Sequence, residues 1–168
     1  CIRDSLESGY DIYCCIPKYK LDEWKALLGM MCNQFLKSFE RRAEGNTTPI
    51  LFLIDEVPRL EKIEAISNGL ATLHSKKIHI SLIVQSKSQL NAIYGKDVAE
   101  VIADNCSYKV ILKASEPTTQ EWCSKLVGTY VKPEEFAYLQ DVVCVFPNGY
   151  KRLQKANYYE DSTFTSKL

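Results

Sequence analysis

One run constrains this chain more than any other: Pro49-Ile50-Leu51-Phe52-Leu53-Ile54, followed at once by Asp55-Glu56. Consecutive apolar residues, β-branched or bulky, predict a short strand buried on both faces, as strands of a parallel sheet are. The two carboxylates fall where that strand leaves its sheet, and open α/β sheets bind ligands at the carboxyl ends of their strands. A hydrophobic strand ending in Asp-Glu is the Walker B pattern. There the Asp serves the Mg2+ of a nucleotide and the Glu orients or activates an attacking water. The same pair also suits an ordinary acidic helix start, so the rest of the chain has to decide.

The order of elements comes from periodicity. Asp11-Ile12-Tyr13-Cys14-Cys15-Ile16, stopped by Pro17, reads as a strand. From Leu21 the period becomes helical, with Trp24, Leu27, Leu28, Met31, Phe35 and Phe39 on one stripe as far as about Arg42 and a stop at Gly45-Asn46. Ile63, Ile66, Leu70 and Leu73 mark a second helix after Asp55-Glu56, and Ile78 to Val84 a strand ending in Gln85. Ser86 to Leu90 reads as a polar turn leading to a short helix near Ile93 that stops at Gly95, and Asp97 to Ala103 is helical again. Tyr108 to Leu112 is a further strand, and Glu116 to Val127 a helix with Pro117 in its first turn. A helical turn at Pro133 to Leu139 precedes a hairpin of 142–146 with 151–156 around Pro147-Asn148-Gly149. Strands alternating with helices predict an α/β fold with a mostly parallel sheet flanked by helices. One domain over 1–160 and a polar tail over 161–168 are expected.

Composition excludes several classes. Lys plus Arg and Asp plus Glu both number 21, so no global basic field advertises nucleic acid. Seven cysteines without a CxxC are expected as free thiols of a reducing compartment, and neither His74 nor His79 pairs with them at zinc-ligand spacing. No apolar run approaches the roughly 20 residues of a membrane helix, and without a charged stretch leading into an apolar one no secretory signal is expected. No Ser/His/Asp or Cys/His arrangement stands out. The Tyr and Trp residues fall mainly at core spacing and read as packing, not as a base-stacking platform.

The two strand ends matter together. A helix between the Ile50 and Ile78 strands makes a βαβ crossover, which puts Gln85 beside Asp55-Glu56 on one sheet edge. Leu51 to Pro58, Ile80-Ser81-Leu82-Ile83-Val84-Gln85-Ser86-Lys87-Ser88-Gln89-Leu90, Tyr94-Gly95 and Ala103-Asp104-Asn105-Cys106 closely resemble the type IV coupling proteins of conjugation, the TraG/TraD family. Asp11 to Pro17, Ser124 to Gly128 and Tyr158-Tyr159 fit as well, so the resemblance runs collinearly through nearly the whole chain. It implies a RecA-like three-layer ring ATPase that couples ATP hydrolysis to moving DNA and relaxase into a secretion channel. By resemblance, Asp55 serves Mg2+, Glu56 the water, and Gln85 senses the γ-phosphate. The expected setting is the cytoplasmic face of the membrane, reached through segments not in this sequence, with this segment itself soluble in the cytoplasm.

Two departures qualify that reading. GxxxxGK[ST] occurs nowhere in the sequence, so the P-loop strand is absent and the β- and γ-phosphates lack their cradle. The chain, which opens at Cys1, is therefore expected to be the C-terminal portion of the nucleotide-binding domain and to be inactive on its own. The family's trans-acting arginine falls on His74, with Lys76 two residues on, and neither offers a guanidinium fork. Lys77 and Lys87 are candidate contacts to DNA phosphates, matched by charge and not by base reading. Two alternatives stand beside this one: an ATPase-dead domain that docks relaxase or ring partners, and a related RecA-like DNA translocase or helicase.

Overall fold

The computed structural model describes residues 2–45, 48–157 and 159–160. The tail expected at 161–168, Asn46 of the expected helix stop and Tyr158 of the family resemblance lie outside the described residues. The chain divides into two compact units, one running to Cys106 and the other beginning at Ser107.

In the first unit, α1 (Ile2–Glu7) and α2 (Leu21–Phe39) precede β1 (Ile50–Ile54). Then come α3 (Ala65–Thr72), β2 (Ile78–Leu82), α4 (Lys87–Tyr94) and α5 (Lys96–Asn105). β1 and β2 pair in parallel, from Ile50 opposite Ile78 to Ile54 opposite Leu82. The pairing carries on past the strands, because Ile83 N–H donates to Ile54 O at 2.9 Å and Val57 N–H to Ile83 O at 3.1 Å. Ile50, Ile54 and Ile78 bury against Leu36, Phe39, Ile66 and Leu73. Phe52 adds an edge-on contact to Phe39, ring centroids 6.0 Å apart. α3 lies close over β2 at Gly69, where a Cβ would meet Leu73 and Ile80 methyls at 3.3 and 3.4 Å. α4 turns straight into α5 through Gly95, whose φ of 80° suits a residue without a side chain.

The second unit holds β3 (Lys109–Ile111), α6 (Pro117–Leu126), β4 (Asp141–Phe146) and β5 (Gly149–Gln154). β3 pairs antiparallel with β4, and β4 with β5 through a tight turn at Pro147-Asn148. Phe136, Val143, Cys123 and Val127 form its core. Ser124, also buried, donates to Val131 O at 2.6 Å and ties the end of α6 to the following loop.

The α/β class is as expected, and four local readings change. Residues 11–16 form no strand and are exposed up to Cys15. A β-prone run becomes a strand only with a ladder partner, and no described strand lies beside it. β1 is buried on one face and not on both: Leu51 and Leu53 are 62% and 53% exposed, since the packed helices cover only the side of Ile50, Phe52 and Ile54. α2 ends at Phe39, and its apolar stripe is buried only in its second half, with Trp24 and Leu27 exposed. Finally, Tyr108 to Leu112 does not extend a parallel sheet, because β3 pairs antiparallel.

Candidate functional site

β1 delivers Asp55 and Glu56 at its carboxyl end, and β2 delivers Gln85 at its own, so the parallel pairing puts all three on the same edge. Glu56 and Gln85 touch: Gln85 Nε2 donates to Glu56 Oε1 at 3.2 Å. On the other carboxylate oxygen, Arg59 Nε lies 2.9 Å from Glu56 Oε2. Asp55 is exposed, and no hydrogen bond or ion pair of its side chain is seen among the described residues.

The backbone here is unusual. Glu56 takes φ 50° and ψ 46°, a left-handed conformation that costs a residue with a side chain on the order of 1–3 kcal/mol. Lys77 also lies in that region, but it closes the 3-10 turn Leu73–Lys76, where a left-handed residue is the ordinary helix stop. Glu56 ends no helix. Its conformation turns the chain from β1 into the turn Val57–Arg59 and brings Arg59 back onto the carboxylate, with Arg59 N–H donating to Glu56 O at 2.8 Å.

The other candidates lie elsewhere. His74, Lys76 and Lys77 precede β2 while Gln85 follows it, so the length of a five-residue strand, roughly 16 Å, separates them from the carboxylates. His74 is exposed, its ring edge-on to His79 with centroids 6.5 Å apart. Lys76 Nζ donates to Arg42 O at 2.6 Å, which ties up its ammonium, and Lys77 is exposed. Lys87 corrects a sequence expectation: it is buried at 6% and does not offer its charge to DNA. Its ammonium donates to Ala99 O at 2.9 Å and pairs with Glu100 Oε2 at 2.9 Å, joining α4 to α5. Ser86 caps α4 by accepting the Gln89 N–H at 3.2 Å, so the polar turn expected at Ser86–Leu90 is the first turn of a helix.

Aromatic residues also depart from expectation. Tyr13, Tyr19, Tyr130 and Tyr138 are each at least 80% exposed, and Tyr10 and Tyr108 about 70%, so much of the tyrosine content is surface and not core. Tyr94 is the contrary case, buried with its hydroxyl accepting the Ile63 N–H at 3.2 Å, and burial raises its pKa. Cys32 and Cys123 are pushed up to about 11, by burial foremost, which keeps them as inert thiols.

Sequence reasoning missed two arginines. Arg59 went unnoticed because its contact depends on the left-handed turn at Glu56. Arg42, the limit of the apolar stripe in the sequence, is buried, with Nε and one terminal nitrogen on the Glu7 carboxylate at 2.6 and 2.8 Å. It also donates to Lys76 O at 2.7 Å and to Thr48 O, which fixes the chain on either side of β1.

This α/β fold is similar to that of solved conjugative coupling proteins. TrwB in complex with ADP and Mg2+ superposes with a TM-score of 0.83 at 20% identity, over 92% of this chain and 42% of that one. TrwB with a non-hydrolysable ATP analogue gives the same values, and its unbound form a TM-score of 0.84. The family described as "TraM recognition site of TraD and TraG" matches residues 49–136, more than half of the chain, and the chain belongs to that family. Protein VirD4 of Agrobacterium fabrum is 27% identical over 77% of this chain, and VirD4 of Rhizobium radiobacter 24% identical over 90%. The chain spans 20% and 27% of their lengths. The resemblance to type IV coupling proteins drawn from the sequence is thereby borne out.

Proposed function

We propose that this segment supplies the water-activating half of an ATP-hydrolysing site in a conjugative coupling protein. In this reading, turnover there moves DNA with its relaxase into a type IV secretion channel. The observation that carries the proposal is the meeting of Glu56 and Gln85 at one sheet edge, beside an exposed Asp55. Nucleotide-bound Mg2+ takes one or two protein carboxylates and completes its shell with phosphate oxygens and water. Asp55 fits that single-carboxylate role, and among the described residues no group of three or more His, Cys, Asp or Glu forms a cage of its own. Bound there, the ion would neutralise charge developing on the phosphates. Glu56 orients the water, and the Gln85 amide contacts the γ-phosphate.

The phosphate cradle has to come from a P-loop outside this sequence, so the isolated chain neither binds nor hydrolyses ATP appreciably. TrwB structures holding ADP with Mg2+ or an ATP analogue support a nucleotide role for the family. His74 and Lys77, at the far end of β2, lie too far from Asp55 and Glu56 to join this half-site; in this reading His74 faces the nucleotide of a neighbouring copy and Lys77 contacts DNA phosphates. A ring of copies is part of the reading through the family resemblance, as is a membrane anchorage through other segments; no described helix is long and apolar enough to cross a membrane.

A second reading has its own support. The family description names TraM recognition, which favours docking of a protein partner on residues 49–136. Transfer of DNA from donor cells carrying Asp55→Asn or Gln85→Ala in the intact protein separates the two. The hydrolytic reading expects transfer to fall by about two orders of magnitude, the size of losing a contact made in the transition state. Transfer at wild-type frequency in both variants leaves the docking reading in its place.

A further inference from the structure

Around Glu56 the structure holds more than a half-site needs. Both carboxylate oxygens are already engaged, Oε1 by the Gln85 amide at 3.2 Å and Oε2 by Arg59 Nε at 2.9 Å. The two donors come from different elements, the end of β2 and the turn after β1. The turn is pinned: Val57 is 1% exposed, its N–H donates to Ile83 O, and Pro58 restricts the backbone. The side chains are not pinned. Glu56 and Arg59 remain 37% and 41% exposed, just past the carboxyl end of β1, where open α/β sheets bind their ligands.

We propose that Arg59 is a positioning residue that parks Glu56 until a phosphate anion draws the guanidinium away. The inference rests on the hydrolytic reading of Asp55, Glu56 and Gln85 and adds a regulator to that site. A carboxylate oxygen can align an attacking water only when it faces that water. In the parked position both oxygens face protein donors instead. A polyphosphate at the strand end competes for the same two donors. A guanidinium pairs with phosphate at least as well as with a carboxylate, because its fork matches both. When Arg59 and the Gln85 amide turn to the phosphate, Glu56 is released; Arg59 keeps returning to the carboxylate while nucleotide is bound, so only part of the bound enzyme holds its water at any moment. Without nucleotide, the carboxylate stays held. The hold is soft, since an exposed ion pair at i, i+3 spacing gives a bias of a few-fold and not a lock.

Steady-state ATP turnover of the intact protein, P-loop included, tests this with Arg59→Gln, Arg59→Lys and Glu56→Gln. Arg59→Gln is expected to raise kcat about two- to fivefold with KM for ATP within about twofold, the range that coupling in an exposed pair supports. Arg59→Lys should fall between, since an ammonium keeps the charge without the fork. Raising the salt should lift the wild-type rate toward that of Arg59→Gln, because screening loosens the pair; a purely structural arginine would show no such convergence. An Arg59→Gln kcat equal to or below wild type overturns the parking role. If that occurs while Glu56→Gln abolishes turnover, the half-site reading survives alone. If Glu56→Gln turns over normally, both fall.

Discussion

Each unit contains an arginine joined to a carboxylate by two hydrogen bonds, yet the two pairs do different jobs. Arg42 in the first unit has a side chain 3% exposed, with Glu7 on one side and the carbonyls of Thr48 and Lys76 on the other. Arg152 in the second joins Asp141 across the β4–β5 hairpin at 2.6 and 3.1 Å, with its side chain 44% exposed. Water already solvates the second pair, so forming it gains little. In the first, the guanidinium is buried while Glu7 is 34% exposed, so removing Glu7 would strand a charge in the protein interior and removing Arg42 would leave two carbonyls and a half-wet carboxylate without their donor. Geometry alone does not rank ion pairs; burial does. In the first unit one guanidinium thus ties α1 and the stretch after α2 to the residues that enter β1 and β2, at the opposite end of those strands from the candidate site.

The largest expected effect follows directly. Arg42→Ala should cost the first unit about 2–3 kcal/mol by leaving the Thr48 and Lys76 carbonyls and the Glu7 carboxylate without their donor, read from urea unfolding or from hydrogen exchange of the β1–β2 amides. Arg42→Lys should restore only part of it, since an ammonium cannot reach both Glu7 oxygens and two carbonyls. Next in size is Ser124→Ala in the second unit, which removes a neutral buried donor from Val131 O and should cost about 1–2 kcal/mol. The smallest belongs to the exposed pair. Arg152 holds the Asp141 carboxyl below its usual range. The pair thus stabilises the native state above the ordinary carboxylate value, about 3.9, and that contribution disappears as pH falls through the lowered native value. Between pH 5 and 8 the melting temperature of the second unit should stay flat, and Arg152→Ala should leave it there at moderate salt. A loss from Arg152→Ala as large as that from Arg42→Ala would break the comparison.

Much of the site was legible in the sequence because apolar runs with polar punctuation are local signals. Ile50–Ile54 ending in Asp-Glu, a helical interval, and Ile78–Leu82 leading to Gln85 were enough to place three side chains at one sheet edge. Hydrophobicity alone could not say which face of β1 is covered, so Leu51 and Leu53 were assigned to a core they do not join. Lys87 was legible and was missed. Ser86-Lys87-Ser88-Gln89 has the Ser-x-x-Gln spacing of a helix start, which places Lys87 in the first turn of a helix and not in a loop. Arg42 and Arg59 were not legible in the same way. The Arg42 partner is 35 residues upstream, and the Arg59 contact needs a left-handed glutamate that no propensity announces.

The central claim is that Glu56, at the end of β1, activates the water of an ATP site shared with a P-loop elsewhere. Its most direct test is nucleotide binding and turnover of the intact protein with Glu56→Gln, which keeps the side-chain shape and removes the carboxylate. ATP binding within a few-fold of wild type, with turnover reduced about a hundredfold or more, is the expected result. Turnover at the wild-type rate would contradict it.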